Sequence, residues 1–465
     1  MMSLFNAAAA IGAQATQDCQ IGSVGTDSRR IQRGQLFIAL RGEKFDGHDF
    51  VPQATAAGAA AALVDSAWFA AQGEAPALPL LVADDTRLAL GALGAWWRSH
   101  FQVPLIGVTG SNGKTSVKEM CAAILHAHAA AEGLDGADAV LATEGNLNND
   151  IGMPLMLLRL RGHHRAAVIE MGMNRPGEIA YLTGLAHPTV AIVTNAQRAH
   201  LQGMGGLLEI AREKGAIYSG LDHAGVAVVN ADDAFADYWR ECNATRRLVT
   251  FGVSTPADIA GQFVLRGLGS RIDLSTPAGR ISFEMQIPGV HNVRNAVGAA
   301  AACLAAGVSL QAVAQGLSGY RGTRGRLHRR PAEHGATLLD DTYNANPDSV
   351  RAGIDVLAAT PGRKVLVLGD MGEIGQTSAQ LHDEVGGYAK GQGIDCLLAF
   401  GPMSEVAAKN FGEGGQHFAK IEDLNAALRK LLSPETVVLV KGSRFMRMER
   451  VADAISLDGA GPGNH

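Results

Sequence analysis

The sequence predicts an α/β protein of three domains, with a central phosphate-binding unit built on a parallel sheet flanked by helices. Three observations predict it. β-branched runs that end in turns alternate with helical stretches, the pattern of parallel strands joined by crossover helices. Glycine is abundant, at 57 of 465 residues, which suits a chain with many strand-to-helix turns. Residues 106–120, IGVTGSNGKTSVKEM, order a strand, a glycine turn and a helix. At ~100–200 residues per domain, the length itself asks for two to four cores.

Taken in chain order, residues 1–84 carry the strand-like pieces QLFIAL (35–40), AALVD (61–65) and LPLLVADD (78–85), separated by alanine-rich helical stretches. The amphipathic run TRLALGALGAWWRSHF then leads into the glycine turn. Residues 104–320 alternate AAVIEMG, TVAIVTNA, GVAVVNA and RLVTFGV with helices. The rhythm stops at GYRGTRGRLHRRP (319–331), where a boundary is placed. A smaller, Rossmann-like α/β unit follows, with KVLVLGDMGEIG (364–375), IDCLLAFG (394–401) and TVVLVKGS (436–443). The predicted domains are thus 1–84, 85–320 and 321–465. GDMGEIG does not make the third unit a dinucleotide site: Met371 stands where the second glycine of G-x-G-x-x-G belongs.

Composition excludes several classes. A net charge of −5, a pI near 6.3 and no basic block argue against nucleic acid and anionic membrane as partners. The five cysteines, at 19, 121, 242, 303 and 396, are scattered and never spaced C-x-x-C, as expected in a reducing compartment without structural zinc. The first basic residue is Arg29, so the small-apolar run at 6–15 lacks the charged flank of an export signal. AVGAAAACLAAG (296–307) falls short of the ~18 residues that span a bilayer. A cytoplasmic protein is expected.

The chemistry begins at the glycine turn. Gly110, Ser111, Asn112, Gly113, Lys114, Thr115 and Ser116 form a phosphate loop in which backbone N–H groups and a helix N-terminus face the anion. Lys114 would reach the β/γ-phosphates and Thr115 would offer a hydroxyl to Mg²⁺. The match departs from G-x-x-x-x-G-K-[ST], because Val108 occupies the first glycine position. Val117, Met120, Cys121, Ile124 and Leu125 mark the buried stripe of the following helix. Glu170 ends the strand AAVIE, at the edge where a Walker-B carboxylate would bind Mg²⁺, or it is a plain surface carboxylate. His200 follows the next strand and by itself reads as a loop or capping residue. Lys214 by itself reads as a helix-surface lysine. The histidines at 126, 128, 163 and 164 read as solvent-side.

Together the motifs identify a family. GVTGSNGKTS, TEGNLNNDIGMPLMLL (143–158), EMG (170–172), AHLQGMG (199–205), AREKGAIYSGL (211–221), GVHNVRNAVGAA (289–300), GRL (325–327) and DDTYNANPDS (340–349) occur in the order seen in the Mur ligases, which this chain resembles over nearly its whole length. TDSRRIQRGQLFIALRGEKFDGHDF (26–50) resembles their UDP-sugar-binding module. Within the family, DDTYNANPDS and GDMGEIG look most like the members that add D-alanyl-D-alanine to a UDP-N-acetylmuramoyl-tripeptide. DDTYNANP argues against the members adding the third stem-peptide residue and against folate polyglutamate ligases. A nucleotide-gated switch is the alternative of a different class; a GTPase would need N-K-x-D, and the chain contains no Asn-Lys pair.

The resemblance implies a monomeric ATP-dependent amide ligase that acts through an acyl phosphate with Mg²⁺ at two sites. It places the β/γ-phosphates on Lys114 and the amides of 110–115, one Mg²⁺ on Thr115 and Glu170, and a second on His200. Lys214 matches the lysine that the family carries as a carbamate. Asn292 and Asn295 are expected at adenine and ribose, with Arg326 and Asp341 closing from the third domain. Asn344 and Asn346 are expected at nucleotide or dipeptide, and Thr143, Asn146, Asn148 and Asn149 at the muramyl peptide, although these four also read as a plain Asn-rich loop. Asp27, Ser28, Arg29, Asp46, Gly47 and His48 match the UDP segment. Two departures are Met171-Gly172-Met173 after the metal glutamate and Glu213 beside Lys214.

Overall fold

A computed structural model of the chain describes residues 1–73, 77–134, 136–199 and 201–458. Its centre is a nine-stranded sheet in the order Gly279–Met285, Gly269–Thr276, Ile259–Arg266, Arg247–Gly252, Val226–Asn230, Val190–Val193, Leu105–Thr109, Ala166–Glu170, Val140–Ala142. The seven strands from Ile259–Arg266 to Val140–Ala142 pair in parallel. They are apolar on both faces because helices cover both. Ile106, Val108, Val168 and Ile192 face one core with the helices Lys114–Ala131, Val290–Ala305 and Leu310–Gly319. Leu105, Ala167, Ile169 and Val193 face the other, with Ile179, Ile210, Tyr218 and Trp239. This period-two split of continuous apolar runs is what a doubly covered parallel sheet requires.

The strand Leu105–Thr109 lies where the strand order reverses, between Val190–Val193 and Ala166–Glu170. In open α/β sheets, ligands bind beyond the carboxyl ends of the strands at such a switch point.

Two elements were not anticipated. Ile259–Arg266, Gly269–Thr276 and Gly279–Met285 form an antiparallel extension of the sheet. One face of it is wet, so Ile272 and Leu274 turn inward while Arg271 and Asp273 do not, and no continuous apolar run announces it. The second, His328–Pro331, is a strand inside the glycine- and arginine-rich stretch where the sequence pattern stopped. Its Arg330 is buried and paired with Asp340 at 3.1 Å and Asp453 at 2.9 Å.

The first unit is a five-stranded sheet, Gln14–Ala15, Leu80–Ala83, Ala61–Asp65, Gln35–Ile38, Ser23–Gly25. Ala89, Leu90 and Leu93 of the helix Thr86–Arg98 complete its core together with Leu36, Ile38 and Leu63. The third unit is six-stranded, His328–Pro331, Thr337–Asp341, Thr436–Lys441, Arg363–Gly369, Cys396–Phe400, Gly415–Phe418, and only the first pairing is antiparallel. Among the described residues no helix is long and apolar enough to cross a membrane.

Candidate active site

The phosphate loop is shaped by two glycines that no other residue could replace without strain. Gly110 has φ 150° and Gly113 φ 80°. A Cβ at Gly110 would enter Thr194 Oγ1, and one at Gly113 would enter Asn295 Oδ1. The loop is bonded to the segment after Val190–Val193. The Ser111 and Asn112 amides donate to Asn195 O and Oδ1, both at 2.9 Å, and Gln197 N donates to Ser111 Oγ at 2.9 Å. Thr194 Oγ1 donates to Asn112 O at 2.6 Å. Gly113 caps the helix Lys114–Ala131, whose buried stripe includes all five residues expected from its period. Lys114 Nζ donates to Gly110 O at 2.7 Å. Burial pulls its pKa down, and Glu170 opposes that shift.

Glu170 is 2% exposed, at the carboxyl end of its strand. Its Oε2 accepts from Thr115 Oγ1 at 2.9 Å and its Oε1 from Asn148 Nδ2 at 2.7 Å. Carboxylate, hydroxyl and amide oxygens gathered beside a phosphate loop suit a hard cation that keeps several waters and phosphate oxygens in its shell. Among the described residues no cluster of three His, Cys, Asp or Glu side chains supplies a complete protein cage.

These groups line one cleft of about 630 Å³ between the central and third domains. Ser111–Ser116, Glu170, Asn292 and Asn295 come from the centre, Asn146, Asn148 and Asn149 from the Asn-rich loop, and Arg326, Asp341, Asn344 and Asn346 from the third domain. Arg87, which enters from the helix after the first sheet, is paired with Asp150.

Third-domain residues touch the phosphate loop directly. Arg326 Nη2 donates to Thr115 Oγ1 at 3.3 Å while its guanidinium lies 4.0 Å over the Tyr343 ring. Asn346 caps the helix Pro347–Ala358 in a capping box with Ser349, and its Nδ2 donates to Asn112 Oδ1 at 2.7 Å. Asp341 accepts from Lys441 Nζ at 2.6 Å. Burial pushes the Asp341 carboxyl up and the Lys441 amine down, and their mutual attraction opposes both shifts.

Lys214 is the largest departure from its reading as a surface lysine. It sits on the helix Leu207–Gly215, is 0% exposed, and its Nζ has no hydrogen-bond partner among the described residues. Burial and then the charge of Lys114 push its pKa well below the ordinary lysine value, while Glu213, Glu170 and Glu178 pull it back. Glu213 anchors the same helix by accepting from Gly177 N at 2.9 Å and Ile179 N at 2.8 Å.

Other expected site residues lie elsewhere. Gly110, the first residue of the loop, is buried and is not on the cleft wall. Thr143 is 1% exposed and its Oγ1 accepts from Glu170 N at 2.9 Å, so it holds the glutamate's strand rather than facing the cleft. His200 lies outside the described residues. Asp27, Ser28, Arg29, Asp46, Gly47 and His48 are not on the cleft wall. Asp27 and Arg29 pair with each other at 2.9 Å on the surface. Asp46 caps a short turn, and the buried His48 accepts from Asp65 N at 3.0 Å. His164 is buried, not solvent-side: its Nδ1 accepts from Arg161 N at 2.9 Å.

Sequence reasoning missed Asn195, Gln197, Tyr343, Lys441 and His291 on the cleft wall. Lys441 ends a parallel strand, as Glu170 does, and that position was its available signal. His291 is pushed down to about 4, chiefly by burial, and so faces the cleft as a neutral imidazole.

A phosphate loop at a switch point, a carboxylate at the next strand end, and a third domain reaching over both define a nucleotide-dependent enzyme with a composite, multi-substrate site. Comparison with known proteins sharpens that class. Residues 20–93 match the Mur ligase family catalytic domain, 108–303 the Mur ligase middle domain, and 325–444 the Mur ligase glutamate ligase domain. The chain belongs to the Mur ligase family. It is 41% identical, over 95% of both chains, to UDP-N-acetylmuramoyl-tripeptide–D-alanyl-D-alanine ligase of Escherichia coli K12. Its fold matches the crystal structure of MurF from Acinetobacter baumannii with a TM-score of 0.88 at 36% identity, covering 97% of each chain. MurF of Thermotoga maritima, solved in complex with ADP, matches at a TM-score of 0.79 and 25% identity, covering 93% of this chain and 96% of that one.

Proposed function

We propose that this protein joins D-alanyl-D-alanine to UDP-N-acetylmuramoyl-tripeptide, a step of peptidoglycan precursor synthesis, with ATP converted to ADP and phosphate. The observation that carries the reading is the convergence of phosphate loop, Glu170 and third-domain cations on one cleft. The names of the relatives supply the substrates.

A carboxylate does not acylate an amine in water, because it is anionic and would have to expel an oxide. A carboxylate oxygen attacks the γ-phosphorus, the bond to ADP breaks, and an acyl phosphate forms. The dipeptide amine then attacks the carbonyl carbon, a tetrahedral oxyanion collapses, phosphate leaves with its bridging oxygen, and the amide remains. Two unit charges of like sign at ~4 Å repel by ~4 kcal/mol at an effective dielectric of 20, so bringing triphosphate and carboxylate together needs cations. Lys114 and the loop amides after Asn112 serve the β/γ-phosphates, since the Ser111 and Asn112 amides are taken by Asn195; Arg326 reaches them from the third domain, and Asn292 and Asn295 face the nucleoside. Asn146, Asn148 and Asn149 orient the muramyl peptide, and Asn344 and Asn346 the incoming dipeptide. Thr115 and Glu170 would hold a Mg²⁺ ion, which neutralises phosphate charge, and His200 would serve a second. The orphaned, buried amine of Lys214 fits a carbamate formed with CO₂, since burial raises the share of neutral amine that can react.

Purified protein with ATP and Mg²⁺ is expected to release phosphate when given both the UDP-muramyl tripeptide and D-alanyl-D-alanine. The product should be heavier by that dipeptide less water. Release with no acceptor would move the protein to the switch-ATPase class. Release with a shorter muramyl nucleotide and a diamino acid would move it one step earlier in the same family.

The third domain connects to the centre through 319–325, where Gly322 has φ 93° and Gly325 φ 74°. Rotation there would admit substrates and then exclude water, which an acyl phosphate requires. Small-angle scattering should show the radius of gyration contract when an ATP analogue and the muramyl substrate bind together. An unchanged radius would sink the hinge.

A further inference from the structure

Arg198 lies directly after the segment Thr194–Gln197 that holds the phosphate loop, and its contacts run to the third domain. Its backbone N–H donates to Asp348 Oδ2 at 2.9 Å. Its Nε and Nη2 donate to Asp348 Oδ1 at 3.0 and 2.7 Å, and Nη1 and Nη2 reach the Glu384 carboxylate at 3.3 and 3.2 Å. Glu384 in turn accepts from Arg351 at 2.8 Å. The network therefore joins one central-domain loop to two third-domain helices, Pro347–Ala358 and Ser378–Gly391. Asp348 sits in the first turn of its helix, where the helix N-terminus favours a carboxylate.

On the other side, the same segment bonds Ser111 and Asn112 through Asn195 and Gln197. A displacement of Arg198 is thereby passed to the loop that cradles phosphate over a chain of two or three hydrogen bonds. The Asn112–Asn346 bond closes the same circuit from the N-cap of the Asp348 helix.

We propose that Arg198 is a positioning residue: docking of the third domain on its guanidinium fixes the segment 194–197 and, through it, the nucleotide-holding conformation of the phosphate loop. The side chains of Arg198, Asp348 and Glu384 remain 23–33% exposed, so the network stays accessible to salt. An exposed single pair would contribute little, but a guanidinium shared by two carboxylates and backed by a backbone bond is a network with defined geometry.

The inference rests on the ligase reading for its assay, and the test separates the two. If the wild-type protein does not ligate, that reading fails; if it ligates and Arg198→Ala behaves as wild type, only this inference fails. Arg198→Ala is expected to raise KM for ATP about tenfold, within the usual 5–150-fold range of inter-site coupling, with KM for the muramyl nucleotide near wild type. Arg198→Lys should recover part of the loss, because it restores the charge without the fork. Glu384→Ala should raise KM for ATP in the wild type and add little in the Arg198→Ala background, since residues of one network are non-additive. Wild-type KM for ATP should climb with salt more steeply than that of Arg198→Ala. Equal KM for ATP in wild type and Arg198→Ala, additive effects of the two substitutions, or parallel salt curves would each overturn it. Melting curves of the variants distinguish a global folding defect, under which both substrates' KM values would move together and the proposal would fail.

Discussion

Lys214→Ala is expected to lower ligation by on the order of 10²–10³-fold, the scale seen when one preorganised polar group is removed from an active site. Among the described residues no hydrogen bond explains the place of its amine. It is fully buried, its Nζ is unbonded among the described residues, and it lies under the influence of Glu170 and Lys114, the two residues assigned to metal and phosphate. If it acts as a carbamate, small carboxylates such as acetate or formate should restore part of the activity of Lys214→Ala. No rescue at any concentration would leave Lys214 as a lysine. A second readout is stability. Burial lowers the native pKa, so as pH falls the unfolded chain takes the proton first, and the wild type loses stability relative to a side chain that does not titrate. Lys214→Met in decarbonated buffer should therefore be the more stable protein by about 1–3 kcal/mol, the cost of an unsatisfied buried polar group. The difference should grow as pH drops from the ordinary lysine range and level off below the native pKa. Denaturant melts across that range check it.

Gly110→Ala should be the most damaging change in the loop. The residue holds φ 150°, and the new Cβ would enter Thr194 Oγ1, which is itself committed to Asn112 O. Either the strand end or the loop must move, and the two are tied together by the bonds of Asn112 to Thr194 and Asn195. Overpacking of this kind costs about 1–3 kcal/mol. KM for ATP should rise at least about tenfold, as losing ~1.4 kcal/mol of binding already does. Adding Thr194→Ala should return part of the stability by removing the obstructing oxygen. Wild-type nucleotide kinetics in Gly110→Ala would show that the turn does not hold phosphate.

Much of this site was legible because its chemistry is local in sequence. The phosphate loop is seven contiguous residues, Gly110 to Ser116, and Glu170 is marked by ending an apolar run, so strand, turn and helix could be placed from periodicity. The buried stripe from Val117 to Leu125 follows from the same pattern. What was not legible depends on distance. Nothing local separates Lys214 from a surface lysine, since Arg212 on the same helix is half exposed. Only its complete burial does so. Thr143 reads as part of an Asn-rich ligand loop, and its bond to the Glu170 amide appears only once two parallel strands are paired. Asp46 and His48 look like exposed polar residues of a binding segment, whereas Arg41 and Asp65 draw them into a structural corner. The antiparallel extension escaped notice because one wet face breaks the apolar runs by which the parallel strands were found.

If ATP phosphorylates a carboxylate before the amine arrives, the fate of one oxygen shows it. A muramyl tripeptide carrying ¹⁸O in its reacting carboxylate should transfer one labelled oxygen per turnover to inorganic phosphate, read by mass spectrometry, with the other retained in the new amide. Unlabelled phosphate, released while the amide forms or without any amide, would mean that the cleft hydrolyses ATP by attack of water and that no acyl phosphate is made.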